Sequence, residues 1–229
     1  MNETLLQVEC LTIKLKNQNQ ELVRNISFSL EEAGTMTILG QSGSGKTLTC
    51  RAILGLLTRS VFQVDGEIFF EEKALLQLKE KERALYYGSQ IAFVPQNPMT
   101  ALDPSRKIGV QMAEFLRLHQ SVSKKDMLCL CEQAIIQAGL TDTKRVLNSR
   151  PYQLSGGMLQ RVLIALAIAG KARLVIADEP TTALDAVHRD QAVEQFLKLR
   201  EQGCAKEVLQ NPKAGYTKEL IEAIHLGWG

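Results

Sequence analysis

The chain has 229 residues, with 27 Lys and Arg against 25 Asp and Glu, a net charge of +2, and 45% apolar residues. High apolar content with so small a net charge excludes a disordered chain, and a charge of +2 gives no electrostatic footprint for nucleic acid. The longest strongly apolar run, 162–170, is far shorter than the ~20 residues of a membrane-spanning helix. The N-terminal MNETLLQVEC lacks the basic-then-apolar order of a signal peptide. Five cysteines (Cys10, Cys50, Cys129, Cys131, Cys204) are an odd number with no histidine at metal-ligand spacing, and read as reduced thiols that mostly fill the core.

In chain order, residues 5–8, 11–15 and 26–30 read as short strands, with the polar turn KNQNQ between the second and third. Residues 35–39 form a compact apolar strand that runs into a glycine-rich turn, and 46–57 have the apolar density of a buried helix. Strand, glycine-rich loop and helix make the usual entry to a parallel sheet. Residues 64–70 and 91–94 read as further strands. Pro98 and Pro104 bracket a turn, and 108–118 and 125–138 are amphipathic, so 99–150 reads as a helical insertion. Residues 159–169 form another apolar helix, 173–177 a buried strand and 186–199 a helix; 217–224 form a short helix after Pro212. No internal repeat is present.

The strongest chemical signal is Gly40-Gln41-Ser42-Gly43-Ser44-Gly45-Lys46-Thr47, followed by Leu48, which satisfies G-x-x-x-x-G-K-[ST]. Its glycines let backbone N–H groups wrap a phosphate, and the following helix adds the positive end of its dipole. Lys46 reaches the β- and γ-phosphates, and the Thr47 hydroxyl ligates Mg²⁺. A second signal is Leu174-Val-Ile-Ala-Asp178-Glu179-Pro180, an apolar strand ending in a carboxylate that completes the Mg²⁺ shell. Glu179, next in line, can polarise a water aimed at the γ-phosphate. A third is Ser155-Gly156-Gly157-Met158 at the start of an apolar helix. Ser155 can cap that helix, and the two glycines leave helix-end N–H groups bare for a phosphate arriving from outside.

The order GQSGSGKT, VPQNP, LSGGMLQR, LVIADEP, TTALD resembles the nucleotide-binding subunits of ATP-binding cassette (ABC) transporters over nearly the whole chain. VPQNPMTALDP and YQLSGGM resemble the peptide/nickel import group, and GKTLTC with GMLQR is most similar to its nickel-import ATP-binding members. The resemblance implies an α/β P-loop NTPase in one domain spanning 1–229: a mixed sheet core, an N-terminal antiparallel β subdomain and the helical subdomain 99–150. It implies ATP hydrolysis with ATP and Mg²⁺ as cofactors. It makes Gln96 a Q-loop glutamine that contacts Mg²⁺ and the attacking water, and Ser155 to Met158 the signature that binds the γ-phosphate of a partner's ATP. Asp185 becomes the D-loop aspartate at the dimer seam. The implied partners are a second ABC ATPase subunit in a head-to-tail dimer, two membrane permease subunits and an extracytoplasmic solute-binding protein. The implied location is peripheral, on the cytoplasmic face of the membrane. Nickel, a metal chelate and a peptide all stay open as cargo.

Two features depart from the family pattern. No aromatic lies near residues 11–16 (LTIKLK) to stack adenine, which predicts weaker base discrimination. The family also places a strand ending in a switch histidine after the helix that follows Asp185, then two more strands and a turn. Here Leu199-Arg-Glu-Gln-Gly203 leads directly into CAKEVLQNP, and His119, His188 and His225 do not fill the gap. An apolar parallel sheet with a strand removed beside Asp178 is a poor fold. A missing stretch of a few tens of residues near 200–203 is therefore expected. A true deletion would predict a protein that binds ATP but hydrolyses it poorly.

Overall fold

The computed structural model describes residues 3–18, 20–41, 43–120, 123–178 and 207–210, the last as backbone. The chain opens with β1 (Thr4–Leu15) and β2 (Gln20–Glu31), an antiparallel pair joined by the polar turn. The break expected within β1 is instead an irregularity inside one strand. Cys10 sits at φ 50°, and the register with β2 shifts between Val8 and Leu11. A bulge bends a strand without ending it, and a periodicity reading sees only the lost alternation. β4 (Phe62–Phe70) and β5 (Lys73–Ala74) complete an antiparallel sheet of order β2-β1-β4-β5.

The second sheet is parallel. β3 (Thr35–Ile38), β6 (Ile91–Val94), β7 (Leu174–Ala177) and β8 (Glu207–Gln210) lie in the order β3-β8-β7-β6. All four residues of β7 are buried, as its uninterrupted apolar run requires of a strand covered on both faces. The sequence offers no strand between the helix after Asp185 and Pro212, yet β8 fills the slot between β3 and β7. It pairs Val208 with both Met36 and Ile176. Four residues of backbone suffice to satisfy the facing ladder groups of β3 and β7, which would otherwise be unpaired.

Between the sheets and around them run α1 (Lys46–Ile53), α2 (Glu80–Tyr86), α3 (Ile108–His119), α4 (Lys124–Gln137), α5 (Thr143–Asn148) and α6 (Gly156–Gly170). α1 stops before the predicted Leu57. Gly55 takes φ 64°, and the Leu56 N–H donates back to the Arg51 carbonyl, a glycine-terminated helix end. α2 and α5 are too short for a periodicity reading to find. α2 starts where Glu82 accepts from the Lys79 N–H at 2.8 Å, and α5 where Asp142 accepts from the Arg145 N–H at 3.1 Å.

Two apolar clusters hold the fold. One joins α3, α4, α5 and α6 through Met112, Leu116, Ile135, Val162 and Ala165 to Val94, Val175 and Ala177. The other packs α1 through Cys50 and Ile53 beneath the antiparallel sheet and against Leu174 and Ile176. Because successive residues of β7 point to opposite faces, Val175 and Ala177 serve one cluster while Leu174 and Ile176 serve the other. Cys50 and Cys131 are buried free thiols, and burial pushes Cys131 up to about 11; Cys10 and Cys129 are exposed.

Candidate nucleotide-binding site

Ligands of open α/β sheets bind beyond the carboxyl ends of the strands. β3 delivers Gly40 there, β6 delivers Gln96 and β7 delivers Asp178, all three within two residues of their strand ends. The Asp178 N–H donates to the Val94 carbonyl at 2.9 Å, which ties the ends of β7 and β6 together.

The loop from Gly40 to Gly45 needs two of its glycines, Gly40 and Gly45, for space, while Gly43 lies in open space at φ 82°. A Cβ on Gly40 would stand 2.4 Å from the Ser44 hydroxyl oxygen. Gly45, at φ 91°, lies so close to β2 that a Cβ would meet Val23 Cγ2 at 2.6 Å and the Leu22 carbonyl at 3.0 Å. Gly45 is also the N-cap of α1 and supplies no side chain, and the first turn of the helix carries no acidic residue. No capping side chain and no acidic residue of that turn competes there with an outside anion. Lys46 is only 7% exposed, and its ammonium donates to the carbonyls of Gly40 (2.7 Å) and Gln41 (2.9 Å). It thus closes the loop on itself and sits at the loop's mouth.

The Thr47 hydroxyl donates to Asp178 Oδ1 at 3.1 Å. Asp178 is 4% exposed. Burial raises its carboxyl above the ordinary 3.8, against the opposing pull of the Thr47 hydrogen bond and the charges of Arg51 and Lys46. A hydroxyl and a buried carboxylate held together beside a lysine form an oxygen donor set that suits a hard divalent cation bound with a phosphate.

Gln96 is exposed at the end of β6. Ser155 caps α6, its hydroxyl accepting from the Met158 N–H at 3.3 Å, and Gly156 faces open space with no atom within 4 Å of a built Cβ. These signature residues hydrogen-bond within their own helical turn, on the helical layer, while the loop 40–47 sits on the parallel sheet. Ser42, Glu179 and Asp185 lie outside the described residues, as do His188 and His225. His119 ends α3 with its ring 4.9 Å from that of Phe115, and burial lowers its pKa.

The arrangement is a nucleotide-binding P-loop domain: a glycine loop on a helix N-terminus, a lysine at its mouth, and a threonine–aspartate pair beneath. The pattern that defines ABC transporters matches residues 23–182. The chain belongs to the ABC transporter family and is an ATPase of that family. Among curated proteins it is similar to the metal-staphylopine import system ATP-binding protein CntD of Staphylococcus aureus. In strain Mu50 the match is 43% identical over 198 residues, 86% of this chain and 73% of the relative. In strain NCTC 8325 it is 38% identical over 251 residues, 95% of this chain and 92% of the relative. It is also similar to the dipeptide transport ATP-binding protein DppD of Lactococcus lactis, at 39% identity over 87% of this chain and 58% of the relative. A solved structure, the ATP-binding cassette MJ0796 as a post-hydrolysis dimer bound to ADP and Pi, superposes with a TM-score of 0.78 at 25% identity, covering 90% of this chain and 88% of that one.

The 251-position match draws on 95% of a 229-residue chain, or about 218 residues. About 30 positions of that relative, room for a strand and a hairpin, therefore have no counterpart here.

Proposed function

We propose that this chain is the ATP-hydrolysing subunit of an import complex, coupling ATP binding and hydrolysis to uptake of nickel or a metal chelate. The observation that carries the reading is the Thr47–Asp178 pair beneath the N-terminus of α1, which has no side-chain cap. Anion and cation subsites stand side by side there, as a metal–nucleotide requires. Gly40 to Leu48 would hold the phosphates, and Thr47, Asp178 and Gln96 would hold Mg²⁺, which when bound neutralises phosphate charge. Lys46 stabilises charge that develops on the transferred group. Glu179, adjacent to Asp178 in sequence, takes the proton of the attacking water.

The exposed Ser155 and open Gly156 support a role toward a second subunit, with Met158 completing the signature and Asp185 at the seam. The dimer described for MJ0796 supports head-to-tail closure on two ATP molecules. No helix among the described residues is long and apolar enough to cross a membrane. We place the chain peripherally on the cytoplasmic face, docked on two permease subunits that receive cargo from a solute-binding protein. An apolar cleft of about 290 Å³ between α1, β6, α3 and α6, lined by Leu54, Leu56, Phe93, Phe115 and Leu166, is the docking surface we assign to the permeases. The relatives' names favour a metal chelate; an oligopeptide or dipeptide is the second reading, favoured by the DppD match.

The stretch absent near 200–203 belongs to the same proposal. The unmatched positions of the relative support it, and β8 takes over the sheet slot that the stretch would leave open.

The test is Glu179→Gln in the chain assembled with its membrane subunits. An ATP-bound dimer that accumulates without turnover is the expected result. Undiminished turnover would remove Glu179 from the mechanism, and absence of any ATPase in the unaltered complex would favour a regulatory ATP-binding subunit.

A further inference from the structure

A second cationic site lies away from the P-loop, at the opposite end of α1. A cavity of about 340 Å³ opens between the β1–β2 turn, the start of β4 and the segment that follows α1. Its wall carries Lys16, Arg59 and Arg83, with Gln63 beside them and Leu57 and Phe62 as apolar surface. Among the described side chains, no carboxylate lines it and none forms an ion pair with any of the three cations. Four other described cations do form ion pairs: Lys14 and Arg24 with Glu21, Arg106 with Glu114, and Arg173 with Glu32 and Glu71.

Arg83 is the informative residue. Its Nη2 donates to the Leu76 carbonyl at 3.1 Å, and its Nη1 packs over Gly55, 3.1 Å from where a Cβ would stand. Its Nε is buried and has no hydrogen-bond partner. A buried N–H of a charged guanidinium left unpaired is costly, and native structures nearly always satisfy it. Tyr87, one turn along, donates its hydroxyl to the Ile53 carbonyl at 2.8 Å and does not accept from Arg83 Nε. The Leu76 contact fixes the guanidinium in a wall that Lys16 and Arg59 share.

We propose that this cavity binds a phosphate ester on a short aliphatic body. The oxyanion would lie among Lys16, Arg59 and Arg83, and the carbon chain would lie on Leu57 and Phe62. Three cations, two of them arginines with forked donors, suit a phosphate dianion, and the volume exceeds what inorganic phosphate alone would fill. Such an ester can come from a free metabolite or from a phospholipid headgroup.

The experiment uses the full chain saturated with Mg-ADP, so that the P-loop is already occupied, and hexyl phosphate as the probe in calorimetric titration. Saturable one-to-one binding is expected, at least tenfold tighter than inorganic phosphate, and weakened at least tenfold by Arg59→Gln. Arg83→Gln should weaken it too; because Arg83 also braces Leu76, the exposed Arg59 variant is the deciding one. A second arm measures co-flotation with phosphatidylglycerol and phosphatidylcholine vesicles. Arg59-dependent flotation with the anionic lipid alone assigns a headgroup, and hexyl phosphate binding without flotation assigns a free ester. Absence of saturable binding in both arms, or binding that Arg59→Gln leaves unchanged, overturns the proposal.

Discussion

Thr47 and Asp178, separated by 131 residues of chain, meet through a 3.1 Å hydrogen bond at the carboxyl edge of the parallel sheet. The contact sets a buried carboxyl against the first turn of α1 and leaves it short of the water that would stabilise its charge. In the free chain the hydroxyl and nearby cations offset part of that cost, and a bound cation would offset more.

Asp178→Asn should separate binding from stability. ATPase activity should fall by about a hundredfold or more, while the nucleotide-free variant melts no lower than the unaltered chain. The sign with pH follows from linkage. The folded carboxyl is raised above 3.8, so the folded state binds this proton more tightly than the unfolded state. Its contribution to stability is therefore present at low pH and is lost as pH rises through the raised value. The stability of Asp178→Asn relative to the unaltered chain should increase across that window, as read by urea denaturation at several pH values. A difference independent of pH would contradict this.

Lys46→Ala removes the ammonium that the Gly40 and Gln41 carbonyls hold at the loop's mouth. ATP affinity should drop by at least about tenfold, given the ~1.5–3 kcal/mol of a charge-assisted hydrogen bond. Fluorescent nucleotide titration would measure it.

Gly45→Ala forces a Cβ against Val23 and the Leu22 carbonyl at a positive φ. Destabilisation of about 1–3 kcal/mol is expected, together with weaker nucleotide binding, measured by denaturation with and without Mg-ATP. An unaltered midpoint would mean that β2 does not hold the loop as described.

Ser155→Ala removes the cap of α6, which costs about 0.5–2 kcal/mol. A residue that serves only as a cap would lower the melting temperature and spare turnover. The proposed role toward a partner's ATP predicts that turnover in the assembled complex falls further than the stability loss explains. Ser155→Thr, which keeps the cap, should restore stability in either case.

Alkylation at pH 8 should modify the exposed Cys10 and Cys129 readily. Cys50 and Cys131 should stay protected until the chain unfolds, because both are buried and the Cys131 thiol titrates at about 11. Peptide mass spectrometry would distinguish the four.

Much of the site was legible in the sequence because phosphate binding constrains local backbone. Gly40, Gly43 and Gly45 with Lys46 and Thr47 are contiguous, and their spacing encodes loop and helix N-terminus together. Ser155 was readable for the same reason, as a cap acts within one helical turn. The bulge at Cys10, the early stop of α1 at Gly55 and the brief α2 and α5 were not readable, because each depends on a few residues whose alternation resembles a break or a loop.

The sequence by itself determined the P-loop, the apolar strand that ends in Asp178, and the helical stretch 99–150. These follow from local spacing and hydrophobic period. Only the tertiary structure decided that Thr47 touches Asp178, that the segment Glu207–Gln210 closes the parallel sheet between β3 and β7, and that Lys16, Arg59 and Arg83 face one cavity. Each of these joins residues far apart in the chain, and what brings them together is burial of the shared cores and the need of every sheet edge for a partner.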